Sequence, residues 1–285
     1  MEMPLDTSFP SINEGGSELT RKLTHSEEAK LLKDTNLVSA FTQRKLEEDA
    51  KKNWDLFYKR NGTNFFKDRH WITKEFKELI GHDSGSTPGS RQILEVGCGV
   101  GNLLFPLLQD MGSNSNCFIY ACDFSPRAVK FVRENALYSE NNCHVFQCDL
   151  TVDNLCDIII PSSLDFVTMV FVLSAINPEK MLKALRNVFL VLKPGGCVLF
   201  RDYGLYDYAQ LRFKPGHKLS ENFYVRQDGT RAYYFSLETI TELFIMAGYE
   251  TLQNAYVQKE TVNKQMELCV PRIFVQSKFV KPCLS

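Results

Sequence analysis

The chain has 285 residues, 44% of them hydrophobic, with 33 Lys and Arg against 34 Asp and Glu. That composition suits one large α/β domain with appendages rather than two independent domains, and no run approaches the ~18 continuous apolar residues that span a bilayer. The acidic start MEMPLDTSFPSINEGGSE has neither a basic nor an apolar leader region, so a soluble intracellular protein is expected, cytoplasmic with the nucleus as a second compartment.

The first 22 residues, rich in Ser, Pro, Gly and acids, are expected to be disordered. From Ser26 to about Lys59, Leu31, Leu32, Val38, Phe41 and Leu46 recur at roughly helical spacing. This region belongs to a helical extension over 23–81 that is basic and aromatic. Residues 1–19 hold four acidic groups and no basic one, whereas 20–80 hold fourteen Lys/Arg against ten Asp/Glu, a local balance of +4. A near-neutral total can therefore hide a basic face. HDSGSTPGS, from His82 to Ser90, reads as a linker.

Strand and helix patterns then alternate over 91–282, the signature of a parallel sheet with crossover helices. Strands are predicted at Gln92–Val96, Cys117–Cys122, His144–Cys148, Phe166–Leu173, Cys197–Arg201, Tyr249–Gln258 and Arg272–Lys278. Helices are predicted at Leu103–Asp110, Pro126–Asn135, Pro178–Leu192 and Leu237–Ala247. Ser125 and Pro126 form an N-cap with Pro at the first helical position. An insert, Leu205–Phe235, interrupts the alternation on the carboxyl side of the sheet, where open α/β sheets bind ligands. Within it, Asp228-Gly229 signals a two-residue hairpin that places Arg226 and Arg231 close together.

The sharpest motif is Ile93-Leu94-Glu95-Val96-Gly97-Cys98-Gly99-Val100-Gly101. A buried strand runs into a turn whose glycines, Gly97, Gly99 and Gly101, permit positive φ and close approach of the backbone to a ligand. The third glycine comes one position earlier than in the dinucleotide fingerprint. This favours S-adenosylmethionine, which carries no phosphate. Asp123 closes the second strand and is placed to accept bonds from the ribose hydroxyls. Asp149 and Leu150 follow the third strand, placed for adenine. Nine cysteines suit a reducing compartment. They lack metal-ligand spacing: Cys143 and Cys148 point to opposite faces of a strand, so no metal is expected.

The glycine turn with its two acids resembles the class I methyltransferases: an α/β Rossmann-like fold with a seven-stranded sheet, here carrying a helical N-terminal extension and an insert after strand five. Further blocks narrow the resemblance. Asn53-Trp54-Asp55-Leu56-Phe57-Tyr58-Lys59-Arg60, Asn64-Phe65-Phe66-Lys67-Asp68-Arg69-His70-Trp71, Phe200-Arg201-Asp202-Tyr203-Gly204, Arg226-Gln227-Asp228-Gly229-Thr230-Arg231, Glu260-Thr261-Val262-Asn263 and Pro271-Arg272 resemble the tRNA 3-methylcytidine methyltransferases of the methyltransferase-like family, most of all its serine-tRNA branch. The likeness runs from about Leu37 to Pro282. It implies N3 methylation of a cytidine, in the anticodon loop of serine tRNA, with seryl-tRNA synthetase as a partner. It also implies that Trp54 and Tyr58, four apart on one helix face, lie over the cofactor, and it carries over Val170 as a further contact.

N3 of neutral cytosine holds a lone pair, so no general base is needed, but the base must be unpaired or flipped. The product is a cation that needs a carboxylate or carbonyl nearby. Asp202, ending strand five, is the candidate for that role, with a salt bridge to Arg201 or another neighbour as the competing reading. No Cys follows strand four to activate carbon 5. Lys59, Arg60, Arg69, Arg226 and Arg231 are the candidate RNA contacts, set among aromatic rings able to stack unpaired bases. A methyltransferase of small molecules or proteins, or a non-catalytic cofactor-binding subunit of a heteromer, would share the same core.

Overall fold

The structure is a computed structural model and describes residues 20–80, 91–112, 116–263 and 268–283. The linker from His82 to Ser90 and the first 19 residues lie outside it. The tail expected to be disordered through Lys22 is already anchored at Thr20. The Thr20 hydroxyl donates to the Leu205 carbonyl at 2.9 Å and Arg21 Nε donates to that of Tyr206 at 3.2 Å.

The continuous N-terminal helical pattern resolves into α1 (His25–Lys33), α2 (Ala40–Glu48) and α3 (Ala50–Asn61), with a short α4 (Ile72–Glu75). Local caps punctuate it. Thr24 and Glu27 form a reciprocal capping box on α1, and the Ser39 hydroxyl accepts from Thr42 N to start α2. The central elements are β1 (Arg91–Val96), α5 (Leu104–Met111), β2 (Cys117–Asp123), α6 (Pro126–Arg133), β3 (Cys143–Gln147), β4 (Leu164–Val170), α7 (Pro178–Val191) and β5 (Leu192–Tyr203). The insert holds α8 (Tyr208–Leu211), β6 (Lys218–Ser220), β7 (Phe223–Val225) and β8 (Arg231–Tyr233). Last come α9 (Leu237–Met246), β9 (Glu250–Asn263) and β10 (Leu268–Val280).

The main sheet has the order β3-β2-β1-β4-β5-β10-β9, with β10 antiparallel to both its neighbours. This is the seven-stranded arrangement expected of the class I methyltransferases. Strand alternation sends neighbouring apolar residues to opposite faces. Leu94 and Val96 join a core with α7 and α9, whereas Ile93 packs with α5 and α6. Ile72, Phe76 and Leu79, from the N-terminal extension, are fully buried in that second core.

Several boundaries differ from expectation: β5 begins at Leu192, β9 runs on to Asn263 and β10 begins at Leu268, and two further differences have a visible cause. Strand four stops at Val170 because Phe171 takes a left-handed φ of 59° and a short 3-10 turn follows. The hairpin loop is three residues long: Arg226 N donates to Thr230 O at 2.7 Å, and Gly229, at φ 83°, supplies the left-handed position. The Asp228 carboxylate fixes the loop by accepting from both Thr230 N and its hydroxyl.

Candidate active site

The crossover connections bring the carboxyl ends of β1 to β4 together. A cavity of about 270 Å³ opens there, walled by Gly97, Asp123, Asp149, Leu150 and Val172 and roofed by Trp54 and Tyr58 of α3. Six of the residues singled out for the cofactor thus share one space. Val170, Gly99 and Gly101 stand behind it and do not line it.

The glycine turn shows why. A Cβ on Gly97 would sit 2.4 Å from Val172 Cγ2, and one on Gly99 would sit 2.9 Å from the Tyr58 hydroxyl. One on Gly101 would lie 2.3 Å from the Phe105 ring. The expectation that these glycines admit a ligand to the backbone is therefore corrected in part. They admit protein side chains that shape the pocket, and only Gly97 also faces it. Val170 is buried, and its carbonyl accepts from Arg69 Nη1 at 3.0 Å.

Asp123 Oδ2 accepts from Gly99 N and its Oδ1 from Ser125 N, each at 2.8 Å. Burial pushes its carboxyl up to about 6 against these backbone donors. Asp149 Oδ1 closes a turn by accepting from Thr151 N at 2.9 Å and from its hydroxyl at 2.7 Å. Burial holds the Tyr58 phenol well above its ordinary value, so it is a neutral donor.

The Asn53–Tyr58 block places almost every side chain on a different neighbour. Asn53 Nδ2 donates to Gly229 O in the hairpin at 3.1 Å. Asp55 accepts from the Ser125 hydroxyl at 2.9 Å, from Arg127 N at 3.1 Å and from Arg127 Nε at 3.2 Å, which ties α3 to the start of α6. Phe57 packs edge-on against Phe65, with ring centroids 4.8 Å apart. Trp54 and Tyr58 are left to cover the cavity, their rings 6.1 Å apart.

A second tie comes from Glu47, at the end of α2. Its carboxylate pairs with Arg231 of β8 and Lys180 of α7, and Asn177 Nδ2 donates to it at 3.3 Å. Burial raises its carboxyl, but the two cations outweigh that and hold it at about 2. Sequence reasoning missed both ties. Asp55 lay inside a quoted block, which was the available signal. The partners of Glu47 are more than 120 residues away in sequence, and nothing local points to them.

The basic candidates divide. Lys59 and Arg60 are exposed on α3. Arg69 turns inward. It bonds the end of β4 and lies 5.3 Å from the Phe171 ring centroid, and burial lowers its pKa although Glu95 raises it. The expected exposed pair at the hairpin is corrected. Arg231 is only 7% exposed and lines the cavity wall. Arg226 bends back to donate to Arg231 O at 3.2 Å and stands 5.6 Å from the Tyr203 ring centroid. Like charges facing each other would repel, and each instead takes its own inward partners.

Asp202 is fully buried at the end of β5. Its Oδ2 accepts from Ser174 N and its Oδ1 from Tyr203 N, each at 2.9 Å, and burial raises its carboxyl to about 6 while Arg226 lowers it. It does not line the 270 Å³ cavity. Neutralisation by Arg201 is ruled out by alternation along β5. Arg201 faces the other side, 4.4 Å from the Trp71 ring centroid, 3.6 Å from Glu75 Oε1 and 3.0 Å from Gln276 Oε1. Phe171 lines the cavity, its ring 5.0 Å from that of Tyr203 beside Asp202, and is held in its strained conformation by a bond from its N–H to Arg201 O at 2.8 Å. Strain of this kind concentrates at functional sites. Among the described residues no cluster of His, Cys, Asp and Glu is arranged to hold a metal.

Comparison with known proteins agrees with this geometry. A family model described as "Methyltransferase domain" matches residues 94–198. The chain is 62% identical over 264 residues to the rat "tRNA N(3)-cytidine methyltransferase METTL6", covering 92% of this chain and 90% of that one. It is 59% identical over 266 residues to the human protein of the same name, covering 92% and 91%. A more distant relative is the Xenopus tropicalis "tRNA N(3)-cytidine methyltransferase METTL2", 42% identical over 271 residues, covering 84% and 80%. Among solved structures, a "SAM-dependent methyltransferase from ANABAENA VARIABILIS" superposes with a TM-score of 0.57 at 15% identity, over 81% of this chain and 94% of that one. That likeness is one of fold.

Proposed function

The chain belongs to the family of tRNA N(3)-cytidine methyltransferases, and on that premise we propose that it transfers a methyl group from S-adenosylmethionine to N3 of a cytidine in the anticodon loop of serine tRNA. The observation that carries this reading is the convergence of Trp54, Tyr58, Gly97, Asp123, Asp149 and Leu150 on one cavity at the sheet's carboxyl edge. The pocket fits the cofactor. Asp123 presents a buried carboxylate to a ribose, Asp149 and Leu150 offer an acceptor and an apolar face to an adenine, and Trp54 and Tyr58 cover the remainder.

The bound cofactor supplies a methyl group already activated on a sulfonium. The protein's work is then positioning. Phe171, which lines the cavity, and Arg69 against its ring bound the space for the flipped base. Asp202, ionised above about 6, places negative charge where the methylated base becomes a cation. The Cys122 thiol at the cavity is unsuited to covalent catalysis at carbon 5, because a hydrogen bond with Cys148 and burial hold it well above the ordinary thiol range.

In this reading Lys59 and Arg60 meet RNA phosphates, and Arg69, Arg226 and Arg231 shape the pocket from within. The extension over 23–81 and the insert over 205–235 serve as the RNA-handling parts of the Rossmann-like domain. Seryl-tRNA synthetase acts as a partner that presents the tRNA, in the cytoplasm and the nucleus. The test is tritiated donor with total tRNA, followed by nucleoside mass spectrometry and capture of the labelled tRNAs by sequence. Label in 3-methylcytidine of serine tRNA supports the reading. Label in another nucleoside or another tRNA overturns it.

A further inference from the structure

Asp55 carries a charge beside the cofactor cavity but does not line it. It sits on α3 between the two roof residues, one position after Trp54 and three before Tyr58. Three donors converge on it from the start of α6. Its Oδ1 accepts from the Ser125 hydroxyl at 2.9 Å and from Arg127 N at 3.1 Å, and its Oδ2 accepts from Arg127 Nε at 3.2 Å. The positive end of a helix favours a carboxylate there. Starting α6 does not require it, because Ser125 already caps that helix by accepting from Ala128 N at 3.3 Å, with Pro126 at the first helical position.

Ser125 faces two ways. Its hydroxyl meets Asp55, and its N–H donates to Asp123 Oδ1 at 2.8 Å. The other oxygen of Asp123 accepts from Gly99 N at 2.8 Å, and a Cβ on Gly99 would stand 2.9 Å from the Tyr58 hydroxyl. Tyr58 belongs to the same helix as Asp55. The contacts therefore close a ring, from Asp55 to Ser125, Asp123, Gly99 and Tyr58 and back along α3. Ser125 is fully buried and Asp123 nearly so, which leaves the ring little room to relax. Ala128 of α6 also packs with Phe57, Tyr58 and Val100 in a small cluster of their own. The carboxylate placed for the ribose and the roof above it are thus fixed to each other, and Asp55 is the charged member of the ring that stands outside the cavity.

We propose that Asp55 is a positioning residue for cofactor binding: through Ser125 it sets where the Asp123 carboxylate meets the ribose, and through α3 it sets the roof of Trp54 and Tyr58. It does not touch the cofactor itself. The inference rests on the S-adenosylmethionine reading above and is independent of which RNA is methylated. A small displacement of Asp123 lengthens and bends its charge-assisted bonds to the ribose hydroxyls, and such bonds weaken steeply with distance and angle. Asp55→Asn keeps one oxygen for Ser125 and Arg127 N. It loses only the pairing with Arg127 Nε, a partly exposed group that can turn to solvent.

The test is calorimetry on the full chain with two ligands, S-adenosylhomocysteine and its 2′-deoxy analogue, which lacks one of the hydroxyls placed for Asp123. Asp55→Ala should weaken S-adenosylhomocysteine about tenfold, the worth of one hydrogen bond to a charged group. The penalty should shrink to about threefold or less for the deoxy ligand, because a displaced Asp123 then has less to lose. Ser125→Ala should repeat this pattern, and it carries the test if Asp55→Ala does not fold. Asp55→Asn, which keeps the bond to Ser125, should stay within about threefold of the parent. In turnover, Asp55→Ala should raise KM for S-adenosylmethionine and leave kcat and KM for tRNA unchanged, as a loss of uniform binding does. Equal penalties for the two ligands would make Asp55 a brace between helices and overturn the proposal, and so would parental affinity in folded Asp55→Ala. A parent that binds neither ligand would sink the cofactor reading as well.

Discussion

Replacing Glu47 by Gln tests how the N-terminal helices are held over the cofactor cavity. The carboxylate bridges Arg231, Lys180 and Asn177, and so joins α2 to β8 and α7 at once. Its carboxyl is held at about 2 rather than 4.5. That displacement corresponds to roughly 3 kcal/mol of preference for the charged form, and solvent screening at a partly exposed site reduces it to about 2 kcal/mol. Gln keeps the shape and loses the charge, which leaves the 7%-exposed Arg231 without its counter-ion. We expect urea unfolding at pH 7 to show a loss of about 2 kcal/mol. Because the folded pKa is depressed, the stabilisation is fully present above 4.5 and is lost as pH falls towards 2. Parent and variant should therefore differ by a constant amount from pH 7 to pH 5 and converge below that. Calorimetry should also show S-adenosylmethionine binding weakened several-fold, since the latch holds the corner that carries Trp54 and Tyr58. A variant as stable as the parent at pH 7, or a gap that persists unchanged to pH 3, would refute the electrostatic account.

Four further outcomes follow from the same geometry. Asp123→Asn should weaken S-adenosylmethionine binding by about 1.5–3 kcal/mol, and parental affinity should fall as pH drops through about 6, a dependence that calorimetry should find missing in the variant. Asp202→Asn should lower kcat for 3-methylcytidine formation by about 10²-fold with cofactor affinity unchanged, and the parental rate should decline below about pH 6; a parental kcat in the folded variant would remove Asp202 from the reaction. Gly97→Ala puts a methyl 2.4 Å from Val172 and forces Ala to φ 64°, so thermal denaturation should show a loss of about 1–3 kcal/mol and the cofactor should bind poorly. Cys122→Ser should still yield 3-methylcytidine, and a folded variant that binds cofactor without reacting would point to a covalent route.

How much was legible in advance depended on how local the cause was. The strand-to-glycine turn at Ile93–Gly101, the acids Asp123 and Asp149, and the N-cap of α6 at Ser125 and Pro126 are set by neighbouring residues. Their elements appeared within one or two residues of their expected bounds. Strand four was read too long because Val172 and Leu173 continue its apolar run, and only a bond across the sheet from Phe171 N to Arg201 O reveals the left-handed break. The cationic surface was misjudged for a similar reason. Composition counts Arg69, Arg226 and Arg231 as available charge, and their direction is settled by partners at Val170, Arg231 O and Glu47.

Taken by itself, the sequence determined the alternation of strands and helices, the sheet edge that carries the cavity, and the identity of two acids that line it. The tertiary structure alone decided that α2 and α3 close over that edge, that Arg201 and Asp202 part to opposite faces, and that Glu47 meets Arg231 across 184 residues of chain. The physical reason is range. Backbone conformation and capping depend on contacts within a few residues, which a pattern can display. The direction and pKa of a buried charge depend on whichever distant groups packing brings within a few ångströms.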